Sequence, residues 1–249
     1  MKLVRKNLVD GEATASELLE LMTSDLLLGR AAETLLSSLT LIVRSGLPRS
    51  LLICSSHPEE GKTTLATILA LTAARADKRV LLVDADLRHP RIHKIFGREN
   101  GVGFGEYLSG TASLDEVCTT QRVACERSKT AVALAVVPSG THRRVDFNGV
   151  GHERFRAVID EMTSRADLVI VDCAPVLPVS DALFLASVVE GVVFLVGAGI
   201  VSRHEAQLAK QRLEQAGARL LGFVMNQVDE HAPESGAQPY HRDYHLRGG

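Results

Sequence analysis

The chain has 249 residues, a formal net charge of −2 and a hydrophobic content of 45%, with 4% aromatic residues and no Trp. Its small net charge creates no overall field that would recruit nucleic acid, so we expect no nucleic-acid partner. Aliphatic cores are typical of buried parallel sheets, and the length suits one α/β domain with appendages. No apolar run reaches the roughly 18 residues of a membrane span, and no secretion signal is evident. The sequence therefore predicts a soluble, cytoplasmic protein.

From residue 50 onward, apolar runs alternate with longer helical segments. In chain order, the predicted elements are helices 16–22 and 25–43, strand 50–55, helix 62–76, strand 79–84, a short helix near 90–96 with small helical pieces to about 120, strand 131–137, helix 153–164, strand 167–172, helix 180–189, strand 192–197, helix 203–216 and strand 218–226. Strands separated by helices require right-handed crossovers. We therefore predict a doubly wound, mainly parallel sheet flanked by helices. The predicted divisions are an N-terminal arm with helices over 1–47, a core domain over 48–228 and a flexible tail over 229–249.

The first predicted core strand runs into a short loop that ends in Gly61-Lys62-Thr63, where the next helix begins. Backbone N–H groups from Glu60 onward would face a phosphate there, and the helix N-terminus adds the positive end of its dipole. Lys62 can reach terminal phosphates, and the Thr63 hydroxyl can ligate Mg²⁺. Ser56 occupies the position where the usual phosphate-loop spacing begins with Gly. The alternative is an ordinary turn between a strand and a helix.

Carboxylates follow two further predicted strands. Asp84 and Asp86 come at the end of one strand, and Asp172 ends another. Ligands of open α/β sheets lie beyond the carboxyl ends of the strands, so these side chains should face the phosphate loop. Arg88 can neutralise the first pair or contact phosphate. Turn chemistry is the alternative for the pair, and any buried strand can end in Asp. Three strands that bring phosphate, metal and acid groups to one edge together predict a nucleotide site.

These residues are similar to those of the bacterial tyrosine kinases of capsule and exopolysaccharide assembly, which are relatives of the septum-site and partition ATPases. The resemblance extends over about residues 48–228. It rests on the phosphate-loop segment 55–64, on the Asp-x-Asp-Leu-Arg segment within 80–90 and on the apolar strand with Asp, Pro and Ser-Asp-Ala within 167–182. His57 stands where partition ATPases carry a signature Lys, which favours the kinase branch.

The resemblance implies ATP and Mg²⁺ as cofactors and a P-loop kinase domain over 48–228. The residues around the nucleotide would be Pro58, Glu59, Glu60, Gly61, Lys62, Thr63, Thr64 and Asn226, the last near adenine. The residues that organise the metal would be Thr63, Asp84 and Asp172. The catalytic set would be Lys62, Asp84, Asp86, Arg88 and Asp172. A tyrosine hydroxyl, with a pKa of about 10, needs a base, and the resemblance gives that role to Asp86.

Three departures from the family pattern affect assembly, substrate contact and phosphate binding. The early helix of the family carries two arginines that support ring formation, whereas segment 33–39 here keeps only Glu33. A proline-rich family segment is replaced by 140–147, where Arg143 and Arg144 can contact substrate or lie in a solvated loop. Glu59 replaces a usual Gly, and its charge can weaken phosphate binding.

The family ends in a tyrosine cluster that is phosphorylated by a neighbouring copy. This tail departs from that pattern, because it offers only Tyr240 and Tyr244 as candidates, and an incidental disordered tail is the alternative. We therefore predict an ATP- and Mg²⁺-dependent tyrosine autokinase that regulates polysaccharide polymerisation or export. A homo-oligomer is one assembly that the resemblance implies, although the loss of both arginines counts against a ring. A membrane-embedded chain-length protein would recruit the kinase to the inner face of the membrane. The alternatives are a non-kinase ATPase switch of the partition and septum-site type, and a nucleotide-binding scaffold with little turnover.

Overall fold

A computed structural model describes residues 13–43, 46–125, 130–141 and 145–228. Its strands are β1 (Ser50–Ser55), β2 (Val80–Asp84), β3 (Thr119–Cys125), β4 (Thr130–Val137), β5 (Leu168–Asp172), β6 (Gly191–Gly197) and β7 (Leu220–Asn226). Its longer helices are α1 (Ala15–Ser24), α2 (Leu26–Ile42), α3 (Lys62–Arg75), α8 (His152–Arg165) and α10 (Arg203–Gln215). The short helices are α4 (Ile92–Ile95), α5 (Phe104–Ser109), α6 (Leu114–Val117), α7 (Phe147–Val150) and α9 (Asp181–Ala186).

The seven strands form one sheet in the order β3-β4-β2-β5-β1-β6-β7. Every neighbouring pair is parallel except β3 with β4, which is antiparallel. The predicted doubly wound, mainly parallel sheet is confirmed. The central strands β1, β2 and β5 are buried along their whole length, because both of their faces carry apolar side chains that helices cover. Their carboxyl ends therefore meet at one edge.

The sheet separates two hydrophobic cores, and alternate residues of β1 point to each. Leu52 and Cys54 belong to the core that α8 covers. Leu51 and Ile53 belong to the core that α3 covers, and the early helices α1 and α2 contribute to that same core. The predicted boundary near residue 48 therefore lies between elements that share one core.

The early helices pack closely against each other and against α3. Asp25 caps α2 by accepting hydrogen bonds from the backbone N–H groups of Leu27 and Leu28. A Cβ at Gly29 would lie 2.4 Å from the carbonyl oxygen of Met22, so only glycine permits this approach of the two helices. Across the described ranges, no helix is both long and apolar enough to traverse a bilayer.

Three local predictions differ from the structure. Residues 119–125, for which the sequence predicts no strand, form the edge strand β3. Polar Gln121 is buried in this strand, so the alternation of apolar and polar residues is not evident in the sequence. The polar segment after β4 includes the short helix α7. The helix predicted over 180–189 is shorter, because α9 ends at Ala186. Each difference lies outside the central parallel strands, where the apolar runs are strongest.

Candidate active site

The loop between β1 and α3 has the backbone of an anion-binding turn. Gly61 occupies the N-cap of α3 with a φ of 98°, a left-handed conformation that favours glycine. Glu59 also adopts a positive φ, of 65°, where L residues are strained. No described side chain caps α3, so its first N–H groups and the helix dipole are directed at the cleft above the loop. This geometry suits a phosphate group.

The end of β7 braces the loop from one side. The Asn226 side-chain amide donates to the carbonyl oxygen of Glu60 at 2.7 Å, and Gln227 Nε2 donates to that of Glu59 at 3.1 Å. A Cβ at position 61 would lie 2.5 Å from Asn226 Nδ2, so this contact requires glycine at position 61. Asn226, expected near adenine, is thus placed against the phosphate loop.

Two side chains within the loop connect it to β6 and α10. Glu60 is fully buried, and its carboxylate accepts hydrogen bonds from the backbone N–H groups of His57 and Gly197, each at 2.7 Å. His57 Nε2 lies 3.0 Å from Glu205 Oε1 at the start of α10. The His57 side chain therefore faces α10 at the position of the partition-ATPase lysine.

Buried carboxylates lie side by side at the carboxyl ends of β2 and β5. Both Asp84 oxygens accept backbone N–H groups, Oδ1 from Asp86 and Oδ2 from Arg91 and Ile92. Burial raises the pKa of Asp84 well above its ordinary value, and the charge of Asp172 raises this pKa further. A buried pair of this kind needs a cation or a proton.

Asp172 retains one oxygen for a ligand. Its side chain is hydrogen-bonded to Thr63, yet Oδ1 is buried and has no hydrogen-bond partner. Burial raises the pKa of Asp172 to about 7, while the ammonium group of Lys62 and the Thr63 hydroxyl oppose the shift. The consecutive residues Lys62 and Thr63 therefore form one cluster with Asp172, which comes from a distant part of the chain.

Asp86 and Arg88 lie on the loop that follows β2. Asp86 Oδ1 accepts the backbone N–H groups of Arg88 and His89 at 3.2 and 2.9 Å. The Arg88 guanidinium binds both oxygens of Asp181, at 3.0 and 3.4 Å. Arg88 thus pairs with α9 and holds the loop that carries Asp86.

A cleft of about 320 Å³ opens above these groups, within the usual size range of small-ligand sites. The lining residues are Pro58, Glu59, Gly61, Lys62, Thr63, Thr64, Asp86, His89, Arg91 and Pro175. The structure brings Lys62, Asp84, Asp86 and Asp172 to one edge of the sheet, as the sequence predicted. His89 and Arg91 were missed, because only the fold returns the chain after β2 across the cleft. Arg143, Arg144, Tyr240 and Tyr244 lie outside the described residues.

The groups at this edge of the sheet fit a magnesium nucleotide. Among the described residues, no group of three or more His, Cys, Asp or Glu could hold a metal alone. Mg²⁺ commonly takes one or two carboxylates and completes its shell with phosphate and water. The Thr63 hydroxyl beside the unpartnered Asp172 Oδ1 fits that requirement. The uncapped start of α3 fits the phosphates.

The parallel sheet, the strand–loop–helix turn and the carboxylates at its edge define a P-loop nucleotide-binding protein. Residues 51–242 match the CobQ/CobB/MinD/ParA nucleotide-binding domain, and the chain belongs to this family, in its bacterial tyrosine-kinase branch. It is 34% identical over 178 residues to tyrosine-protein kinase YwqD of Bacillus subtilis, covering 72% of each chain. It is 33% identical over 215 residues to tyrosine-protein kinase CpsD of Streptococcus agalactiae, covering 85% of this chain and 90% of CpsD.

A solved kinase domain supports the same assignment. The kinase domain of Escherichia coli tyrosine kinase ETK superposes with a TM-score of 0.64 at 32% identity, over 74% of this chain and 69% of that domain. The septum-site-determining protein MinD of Pyrococcus horikoshii, solved with Mg-ADP, has a TM-score of 0.57 at 22% identity, over 71% of this chain and 69% of MinD. The second likeness concerns the fold alone.

Proposed function

We propose that this chain is an ATP- and Mg²⁺-dependent protein tyrosine kinase that acts in capsule or exopolysaccharide assembly. The observation that carries the proposal is the cluster of Lys62, Thr63 and Asp172 at the phosphate loop, with Asp86 in the same cleft. The identity to tyrosine-protein kinases such as CpsD, over most of both chains, supports the choice of acceptor.

Each residue of the cluster has a role in the proposed phosphoryl transfer. Thr63, Asp172 and Asp84 would hold Mg²⁺, which would neutralise phosphate charge. Lys62 and the N–H groups of the loop would stabilise the charge of the transferring phosphoryl group. Asp86 would accept the proton of the tyrosine hydroxyl as its oxygen bonds to the γ-phosphorus and the bond to ADP breaks. Arg88, bound to Asp181, would keep Asp86 in place.

The proposed acceptors are Tyr240 and Tyr244, phosphorylated by another copy of the chain. The proposed partner is a membrane-embedded chain-length protein that recruits the kinase to the inner face of the membrane. The proposed partner follows from the resemblance to this kinase family. The relatives themselves differ in length, since the chain covers 90% of CpsD but 24% of the tyrosine-protein kinase Etk of Escherichia coli.

Incubation with Mg-ATP followed by intact and peptide mass spectrometry tests this function. We expect phosphotyrosine at Tyr240 or Tyr244, its loss in Lys62→Met, and in Asp86→Asn a rate at least about a hundredfold lower with Mg-ADP binding retained. Phosphate release without any phosphotyrosine would instead identify an ATPase switch. Binding without ADP production would identify a scaffold with little turnover.

A further inference from the structure

We infer that the carboxylate of Glu60 is a positioning residue, which sets the phosphate loop in its nucleotide-binding conformation. The sequence predicted only a backbone role for Glu60, through its N–H group. The inference rests on the nucleotide-binding part of the proposed function and does not require tyrosine to be the acceptor. It concerns a side chain that lies beneath the loop, away from the cleft lining.

Both oxygens of the Glu60 carboxylate are used, and by different parts of the fold. Oε1 accepts the N–H of His57, at the start of the same loop, and Oε2 accepts the N–H of Gly197, at the end of β6. Both distances are 2.7 Å, which is short for an N–H donor and typical of charge-assisted bonds. The carboxylate therefore fixes the loop to the central sheet.

Close packing holds the side chain in this position. Glu60 is 0% exposed, and a Cβ at Gly197 would lie 3.3 Å from Glu60 Cγ, tighter than ordinary contact. Its main-chain carbonyl oxygen accepts the amide of Asn226 from β7. Residue 60 is thus fixed from its own loop, from β6 and from β7. The residues that follow it, Gly61 to Thr63, are those whose backbone faces the phosphates, so a displaced residue 60 would displace them too.

Charge alone predicts the opposite role for this side chain. A carboxylate beneath a phosphate site repels the ligand, so its removal would tighten nucleotide binding if geometry did not matter. Positioning predicts that its removal weakens binding. Glu59, the next residue, provides a matched comparison, because it carries the same charge on an exposed side chain that lines the cleft. The two neutral variants should therefore change affinity in opposite directions.

The experiment compares Glu60→Gln with Glu59→Gln in the full chain. Affinity for Mg-ADP is measured by calorimetry, and the free energy of unfolding by urea denaturation without nucleotide. Glutamine can accept one of the two N–H groups but presents its own NH₂ to the other, so we expect the Kd of Glu60→Gln to rise about tenfold or more. We expect the Kd of Glu59→Gln to fall. A lower Kd in both variants, or an unchanged Kd in Glu60→Gln despite reduced stability, would overturn the inference.

Gly197→Ala keeps the inference falsifiable if Glu60→Gln does not fold. The added Cβ would lie 3.3 Å from both Glu60 Cγ and Ile200 Cδ1, so these side chains must give way by a few tenths of an ångström while the charge of Glu60 is kept. We expect the Kd for Mg-ADP to rise about threefold, and an unchanged Kd would count against positioning. Tight Mg-ADP binding by the wild type without phosphotyrosine would refute the kinase assignment alone, so the two failures are distinguishable.

Discussion

Asp84 and Asp172 are direct partners in the register of β2 and β5, so two carboxylates stand side by side at the carboxyl edge of the sheet. Both are almost completely buried. Such a pair is unfavourable when both groups are charged, and the adjacent Lys62 and Thr63 offset the cost only in part. This arrangement therefore lowers the stability of the free protein, and a bound cation would restore that stability.

The first prediction concerns the pH dependence of the protein without metal. The pKa of Asp172 is raised from 3.8 to about 7, so the folded state favours the protonated acid. Its contribution to stability is complete below about pH 4 and is lost as the pH rises towards 7. Asp172→Asn removes the buried charge, and we expect the variant to be more stable than wild type at pH 7.5 by over about 1 kcal/mol.

Urea unfolding in a chelator at pH 5 and at pH 7.5 measures this difference. The difference in unfolding free energy between Asp172→Asn and wild type should be smaller at pH 5, where wild-type Asp172 is mostly protonated. The same variant should lose the stabilisation that Mg-ADP gives to the wild type. A difference of equal size at both pH values would refute the assigned pKa shift.

The second prediction concerns Glu59, which adopts a φ of 65° at a position where the tyrosine-kinase family usually has glycine. Glu59→Gln removes a negative charge from the cleft, and Glu59→Gly also removes the strain of a left-handed L residue, which costs about 1–2 kcal/mol. We expect both variants to bind Mg-ADP at least about threefold more tightly at low salt. The gain from the charge should diminish in high salt, and a gain that is independent of salt would contradict an electrostatic cause.

The third prediction concerns the early helix, where the family carries two arginines. Leu36 and Leu39 occupy those positions, and Leu39 is only 2% exposed within the core beside α3. We expect Leu39→Arg to destabilise the fold by at least about 3 kcal/mol, because it buries an unpaired charge. Leu36→Arg is the control, since Leu36 is half-buried and an arginine there can extend its head into water.

Urea denaturation and light scattering compare the two variants. The control should lose less than about 1 kcal/mol. Ring assembly that appears in Leu39→Arg, with a stable fold, would show that the position faces a neighbour after all.

The fourth prediction separates Arg88 from the phosphate loop. Asp181 binds the Arg88 guanidinium through both oxygens, and the Arg88 backbone N–H binds Asp86. We expect Asp181→Asn to lower the rate of tyrosine phosphorylation about tenfold, because Asp86 loses its support. Affinity for Mg-ADP should stay within about twofold of wild type, since the nucleotide contacts lie elsewhere.

A matched control is Glu214→Gln, which removes a carboxylate from the exposed pair with Lys210 on α10. This variant should leave both the rate and the affinity unchanged. If Asp181→Asn weakens nucleotide binding as much as phosphorylation, Arg88 contributes to the phosphate site itself.

The central sheet and most of the site could be predicted, because short sequence patterns indicate both: apolar runs that end in Asp, and the Gly-Lys-Thr turn between a strand and a helix. The apolar runs of β1, β2 and β5 place their ends at one edge whatever the exact packing, and that edge receives Asp84 and Asp172. β3 could not be predicted, because buried Gln121 interrupts its pattern. The role of the Glu60 carboxylate was also out of reach, since it depends on the backbone N–H of Gly197, 137 residues later, and every residue except proline has such a group.

The central position of β1 has a consequence for the newly made chain. β1 leaves the ribosome well before the strands on either side of it, because β5 and β6 begin only at Leu168 and Gly191. Until then this apolar segment is a candidate for chaperone binding and for aggregation. Asn226, which braces the loop after β1, is made later still. A nascent chain therefore gains a finished nucleotide pocket only after β7 has been made, and nucleotide cannot assist the folding stages that come before it.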